Sequence, residues 1–287
     1  MTETIKSKRF VLNVRNELFD FSQRTFIIGI LNITPDSFYD GGKFLNFDKA
    51  VRQGIKMAGE GADIIDIGGE STRPGSESIS LEEELSRVIP VIERLSQEIK
   101  TPLSIDTYKS IVAKKALDSG ASMINDISAL RFDSEMKKIA AEYEVPLVLM
   151  HIKGTPKNMQ DDPYYDDVMK EISSYLKESI TIAKDSGIKE DKIIIDPGIG
   201  FGKRLQDNLD ILKNLSILKT LEKPILVGPS RKSFIGKVLD LPPEERLEGS
   251  LGALAVAILN GANLVRVHDV KESLRVAKLV DAIRKRG

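Results

Sequence analysis

Eight times along the chain, a short apolar run stops at polar residues or glycine. Residues 26–31 end at Asn32, 63–67 at Gly68-Gly69-Glu70, 103–105 at Asp106 and 123–124 at Asn125-Asp126. Residues 147–150 end at His151, 193–195 at Asp196, 225–227 at Gly228-Pro229-Ser230 and 264–265 at Arg266. Helix-like segments separate the runs. Parallel strands covered on both faces read as continuous apolar stretches. Eight of them alternating with helices predict an α/β fold, a (β/α)8 TIM barrel, whose strand C-termini meet on one face. Polar residues far apart in sequence then become neighbours.

The length of 287 residues suits one such barrel, and no low-complexity linker interrupts it, so residues 1–287 are expected to form one domain. With 42 Lys+Arg against 43 Asp+Glu, the charge gives no case for nucleic acid or an anionic membrane. No apolar stretch is long enough to span a bilayer. The absence of cysteine excludes disulfides and thiolate chemistry and fits a cytoplasmic protein. Two histidines, His151 and His268, are too few for a multi-histidine metal site.

Two alternating segments around Asn16, residues 9–13 and 18–21, predict a β-hairpin plugging the N-terminal mouth of the barrel. Ser80 followed by Glu83 reads as a capping box, and Pro90 is expected to kink the helix that follows. Helices are predicted over 133–143, 164–186, 205–221 and 270–285. Gly120, Gly187 and Gly261 sit where helices should stop. The turn-rich segments 34–42 and 71–77, after the first and second strands, are candidate lids.

Asp106 and Asp196 at strand ends can do acid–base work, bind a metal, accept hydrogen bonds from a heterocycle or be structural; with Asn125 they suit a donor-rich heterocycle edge, because a carboxylate accepts two parallel N–H bonds. The run Pro197 to Lys203 matches neither nucleotide-loop pattern. Its glycines are read as letting backbone approach a flat ligand, with Phe201 stacking on a ring. Ser230-Arg231-Lys232-Ser233 should open a helix, a good anion or carbonyl site, with Lys232 as the ligand contact and Arg231 equally readable as structural. Arg266 and His268 share one strand face. With Arg73 they can gather around a polyanion such as diphosphate, and Asn32 can meet the same anion or its Mg2+, which takes oxygen ligands. His151 is left as a supporting or structural residue. No nucleophile stands out, which favours direct displacement of an anionic leaving group.

Together, 30–38, 68–75, 105–107, 124–127, Met150-His151, 196–198, 230–233 and 266–269 resemble bacterial dihydropteroate synthases in order and spacing over nearly the whole chain. Departures are Ile199, where a second Phe is common, and His151-Ile152-Lys153-Gly154. The resemblance implies condensation of 6-hydroxymethyl-7,8-dihydropterin diphosphate with p-aminobenzoate, sulfonamide competition and a homodimer. It implies a pterin site of Asp106, Asn125, Ile127, Met150, Asp196 and Lys232. Thr72, Arg73, Pro74, Phe201, Lys232, Ser233 and Phe38 would frame the aminobenzoate. Asn32, Arg73, Arg266 and His268 would hold diphosphate, with Mg2+ on Asn32. Asp106, Lys232, Arg73 and Asp36 would be catalytic, Asp36 and Phe38 lying in the closing first loop. A methyltetrahydrofolate-dependent pterin methyltransferase would have no use for the diphosphate residues. A silent homologue would be expected to have lost Asn32, Arg73 or Lys232, and the paired carboxylates would be odd in a sugar-phosphate barrel.

Overall fold

The computed structural model describes residues 10–15, 17–33, 43–73 and 75–285, with 43–46 by their backbone alone. The hairpin pairs β1 (Val11–Val14) with β2 (Glu17–Asp20) in antiparallel register. Eight parallel strands follow: β3 (Phe26–Asn32), β4 (Ile64–Gly68), β5 (Leu103–Asp106), β6 (Met123–Asp126), β7 (Leu147–Met150), β8 (Ile193–Asp196), β9 (Leu226–Val227) and β10 (Leu264–Val267). Their order is β8-β7-β6-β5-β4-β3-β10-β9. A parallel bridge between Ile195 and Ile225 joins the two ends of that sheet into a barrel. All eight apolar runs therefore become barrel strands, each within about two residues of its expected end.

Alternation along the strands divides the core in two. Outward residues such as Ile27, Ile65, Ile105 and Ile195 pack against the surrounding helices. Inward residues nearest the strand starts, Phe26, Ile28, Ile64, Met123, Val148, Ile194, Leu226 and Leu264, form a separate cluster with Leu12, Val14, Phe19 and Phe21 of the hairpin segment. The hairpin thus plugs the N-terminal mouth, as its alternation predicts. Phe19 meets Phe26 edge-on at 4.7 Å.

The surrounding helices are α1 (Lys43–Glu60), α2 (Leu81–Glu98), α3 (Ser110–Asp118), α4 (Met136–Tyr143), α5 (Val168–Asp185), α6 (Leu205–Asn214), α7 (Ser233–Leu239), α8 (Leu247–Leu259) and α9 (Val270–Arg284). Helix α2 buries Val88, Val91, Ile92 and Leu95 along one stripe. Ser80 Oγ accepts from Glu83 N at 3.1 Å. The Glu83 carboxylate pairs with Arg87 one turn on, while the helix continues on both sides of Pro90.

Expected boundaries moved where side chains captured the backbone first. Asp133 accepts from Ser110 N at 2.7 Å and Glu135 N at 2.9 Å, so α4 begins later, at Met136. Asp167 caps α5 through Lys170 N at 3.0 Å, which starts it at Val168. The segment expected to be one helix over 205–221 tightens into a 3-10 helix at Leu215–Leu221, stacking Leu215 over Leu218 against the core. Gly120, Gly187 and Gly261 end α3, α5 and α8 with φ of 113°, 88° and 114°. Among the described residues, no helix is long and apolar enough to cross a membrane.

Candidate active site

Strand register assembles the site. Asn32 of β3 pairs with Gly68 of β4, Gly68 with Asp106 of β5, and Asp106 with Asn125 of β6. Four adjacent strands thus place these residues in one row at their C-terminal ends. Farther round, Met150 of β7 pairs with Asp196 of β8. Period two brings Arg266 and His268 to one side of β10 and its extension.

Arg266 organises one side of the mouth. Its Nη2 donates to Asp106 Oδ2 at 2.6 Å and its Nε to Asp66 Oδ2 at 2.6 Å. Asn125 Nδ2 donates to the same Asp66 oxygen at 2.9 Å. Asp66 is 1 % exposed, and its Oδ1 is buried without a partner among the described residues. Burial pushes the Asp106 carboxyl up to about 7; Arg266 pulls it down, while Asp66 and Glu84 push it further up.

Asp196 and Lys232 face the same space. Asp196 Oδ1 accepts from Gly198 N at 2.7 Å. Burial raises this carboxyl to about 6, against the lowering effect of that N–H and of Lys232, Lys203 and Arg266. Lys232 precedes the first turn of α7, with its ammonium 4.1 Å from the Phe201 ring centroid. Burial, then Arg266, lowers it to about 8. Ile127, Met150, Ile152, Met159 and Phe201 form an apolar cluster of their own. Two carboxylates, an amide and an ammonium beside an apolar wall make a slot for a flat ring with donors on its edge.

Asn32, Arg73 and His268 line an open groove of about 530 Å3, together with Lys49, Arg52 and Lys56 of α1. Ser230 Oγ accepts from His268 N at 3.2 Å and lies 3.0 Å from His268 Nδ1. With the hydroxyl proton donated to Nδ1, Nε2–H would be the free donor of the ring. Burial, then Arg266 and Arg231, lowers His268 to about 4, so the ring is neutral at pH 7 and offers a hydrogen bond rather than a charge. Among the described residues, no group of three or more His, Asp or Glu side chains could hold a metal ion.

The loop bearing Thr72 and Arg73 is anchored from below. Lys109 Nζ lies 2.7 Å from both Glu70 Oε2 and Glu84 Oε2 and donates to Ile79 O at 2.8 Å. Tyr108 Oη donates to Glu70 Oε1 at 2.8 Å. Gly75 N donates to Pro156 O at 3.0 Å, joining this loop to the one after β7. Thr72 is half-buried and Arg73 exposed. Ser233, exposed, opens α7. Asp36, Phe38 and Pro74 lie outside the described residues.

A family model described as pterin binding enzyme matches residues 28–268. The chain is 48% identical to the dihydropteroate synthase of Bacillus subtilis over 277 residues, covering 96% of this chain and 95% of that one. The chain belongs to the dihydropteroate synthase family of pterin-binding enzymes. A Yersinia pestis dihydropteroate synthase solved with a sulfonamide drug superposes with a TM-score of 0.91 at 44% identity, covering 96% of this chain and all of that one. A Xanthomonas albilineans dihydropteroate synthase solved with 4-aminobenzoic acid also has a TM-score of 0.91, at 43% identity, covering 96% of this chain and 99% of that one.

Within this dihydropteroate synthase fold, two placements differ from what the sequence suggested, that of Arg266 and that of the glycines after Asp196. Arg266, expected on the diphosphate, spends its guanidinium on Asp66 and Asp106. Asp66 joins the site without a motif of its own; its one signal in the sequence is a lone carboxylate inside the apolar β4, on the same face as Gly68. Arg231, readable either way in the sequence, clasps Asp269 at 3.0 and 2.7 Å. The glycines after Asp196 serve protein contacts: a Cβ on Gly198 would stand 1.9 Å from His151 O, and one on Gly202 2.4 Å from Lys153 O. Both hold positive φ, 67° and 63°. His151, left without a partner in the sequence, is buried with Nδ1 3.0 Å from Lys203 Nζ.

Proposed function

We propose that this protein condenses 6-hydroxymethyl-7,8-dihydropterin diphosphate with p-aminobenzoate, giving 7,8-dihydropteroate and diphosphate. The observation carrying this reading is the pair of carboxylates, Asp196 buried and Asp106 9% exposed at its side chain, set beside a cation-lined groove at one barrel mouth. Asp106, Asn125 and Asp196 accept from and donate to the pterin edge, Lys232 meets its carbonyl side, and Ile127 and Met150 line the ring. Asp106 keeps one oxygen on Arg266 and offers the other to the ligand.

The C–O bond at the pterin methylene breaks, with its electron pair leaving on diphosphate. The electron-rich dihydropterin spreads the resulting positive charge, and the Asp106 carboxylate stabilises it. The arylamine nitrogen then bonds to the methylene carbon and sheds a proton. Arg73 and the Nε2–H of His268 hold the departing diphosphate, and Arg266 adds its charge from behind the carboxylates. Thr72, Arg73, Phe201, Lys232 and Ser233 frame the aminobenzoate. The same frame would take sulfonamides.

Mg2+ fits this donor set. Asn32 offers one amide oxygen at the groove, and Mg2+ favours substrate phosphates and waters over an all-protein cage. When bound, it would neutralise charge on the leaving group. A homodimer and a cytoplasmic setting belong to the same reading; Val238, Leu239, Val256 and Leu259 of α7 and α8 are exposed apolar residues suited to a subunit contact.

The test is diphosphate release from the pterin diphosphate, p-aminobenzoate and Mg2+, followed by a coupled assay. Release requiring all three components is expected. No release from folded protein would remove the assignment. An Asp106→Asn variant with full turnover would remove the role given to Asp106.

A further inference from the structure

Lys203 has no role in the chemistry above, yet it is 3 % exposed and its ammonium is hydrogen bonded within the protein. Its ammonium donates to Phe201 O at 2.9 Å and lies 3.0 Å from His151 Nδ1 and 3.5 Å from His151 O. Phe201 belongs to the loop after β8, His151 to the loop after β7. These are the loops that carry Phe201 and follow Asp196 and Met150 directly. Around the ammonium, Gly198 and Gly202 bring the two backbones into contact. Tyr165 Oη donates to Gly202 O at 2.7 Å, and the His151 ring meets Tyr175 edge-on at 4.7 Å.

A buried ammonium is costly unless it is paired, and a chain this size has many apolar ways to join two loops. The charged groups facing Lys203 are Asp196 from β8, Asp207 from α6, Lys232 at the start of α7, and Lys153 beside His151. Those facing Asp196 are Lys232, Lys203 and Arg266.

We propose that Lys203 is a positioning residue of the pterin site, tying the loops after β7 and β8 together through His151 and Phe201 and so fixing where Asp196 and Phe201 stand. The proposal rests on the pterin reading of Asp196. Lys203 acts through two separable properties. Its N–H donors set the spacing of Met150, Asp196 and Phe201. Its charge lowers the carboxyl that burial raises. Burial also lowers Lys203 itself to about 7.

Lys203→Met and Lys203→Gln separate these properties. In Lys203→Met, KM for the pterin diphosphate should rise about tenfold, equivalent to ~1.4 kcal/mol, with kcat changed less than about threefold. Lys203→Gln retains an N–H donor and should keep KM within about threefold of wild type. In both, the acid limb of kcat/KM should move to higher pH by about half a unit or more, because Asp196 loses a cation. A purely structural lysine would lower Tm and leave that limb in place. An unmoved acid limb in folded Lys203→Gln overturns the proposal, and so does an unchanged KM in folded Lys203→Met. If Lys203→Met does not fold, the acid limb of Lys203→Gln decides alone. Wild-type protein assayed alongside separates the two readings, since absent diphosphate release there would count against the reaction itself.

Discussion

Arg266 and Asp106 form a 2.6 Å ion pair across the barrel mouth, from β10 to β5, and neither strand neighbours the other in the sheet. The same guanidinium reaches Asp66 of β4 at 2.6 Å. One cation therefore holds two buried carboxylates that would otherwise repel. Arg266→Met should leave that repulsion unscreened. Breaking a buried pair by removing one partner costs about 3–5 kcal/mol, so urea unfolding should show a loss of that order. The kcat/KM for the pterin diphosphate should fall at least ~100-fold, since Asp106 is pushed toward its neutral form. A variant as stable as wild type would refute the clamp.

The Asp196 carboxyl, at about 6, and that of Asp106, at about 7, stand above the ordinary value of ~3.9. Between about pH 4 and these values the native state binds more protons than the unfolded chain, so both groups make stability fall as pH rises. His268, lowered to about 4, has the opposite sign: its contribution is present above about pH 6.5 and lost as pH falls toward 4. Asp196→Asn deletes one of the falling contributions. Relative to wild type, it should gain ~1–2 kcal/mol more in urea unfolding at about pH 6.5 than at about pH 4.5. Identical pH dependence in the two proteins would contradict a raised Asp196.

Gly68 separates fold from site. A Cβ there would stand 3.5 Å from both Asn32 Oδ1 and the Asp106 Cβ, an ordinary contact. Gly68→Ala should therefore change Tm by no more than about 2 °C. It places a methyl group between the groove and the pterin slot, and kcat/KM should drop ~10-fold or more. Full activity in this variant would mean that ligands do not bridge Asn32 and Asp106.

Lys109 supports the loop of Arg73 from a distance. Its side chain is 19% exposed, and its two partners, Glu70 and Glu84, are 7% and 1% exposed. Lys109→Met removes the cation shared by both carboxylates, leaving Glu70 on Tyr108 Oη and Glu84 on Thr107 Oγ1, and should cost about 3 kcal/mol by denaturant titration. KM for p-aminobenzoate should rise ~5–10-fold through the loosened loop, with diphosphate inhibition weakened in parallel. If both constants stay unchanged, Arg73 does not depend on this anchor.

Strand positions were legible because a strand buried on both faces needs apolar side chains at nearly every residue, and its exposed end does not. The helix stops at Gly120, Gly187 and Gly261 were equally local, since only glycine enters positive φ without penalty. Helix starts were less legible. Whether Asp133 or Asp167 begins a helix or caps one depends on which N–H group reaches it, and for Asp133 that includes Ser110 from another element.

The sequence by itself determined the barrel, the hairpin plug, and the gathering of Asn32, Asp106, Asn125, Asp196, Lys232 and His268 on one face. These follow from period-two alternation and strand direction, which are properties of short segments. Only the tertiary structure decided which polar groups hold one another. Arg266 bonds Asp66 and Asp106 across 200 and 160 residues of chain, and Lys203 meets His151 across 52. Such pairings depend on barrel closure, strand register and loop spacing, because a buried charge takes the partner that the closed barrel brings within reach.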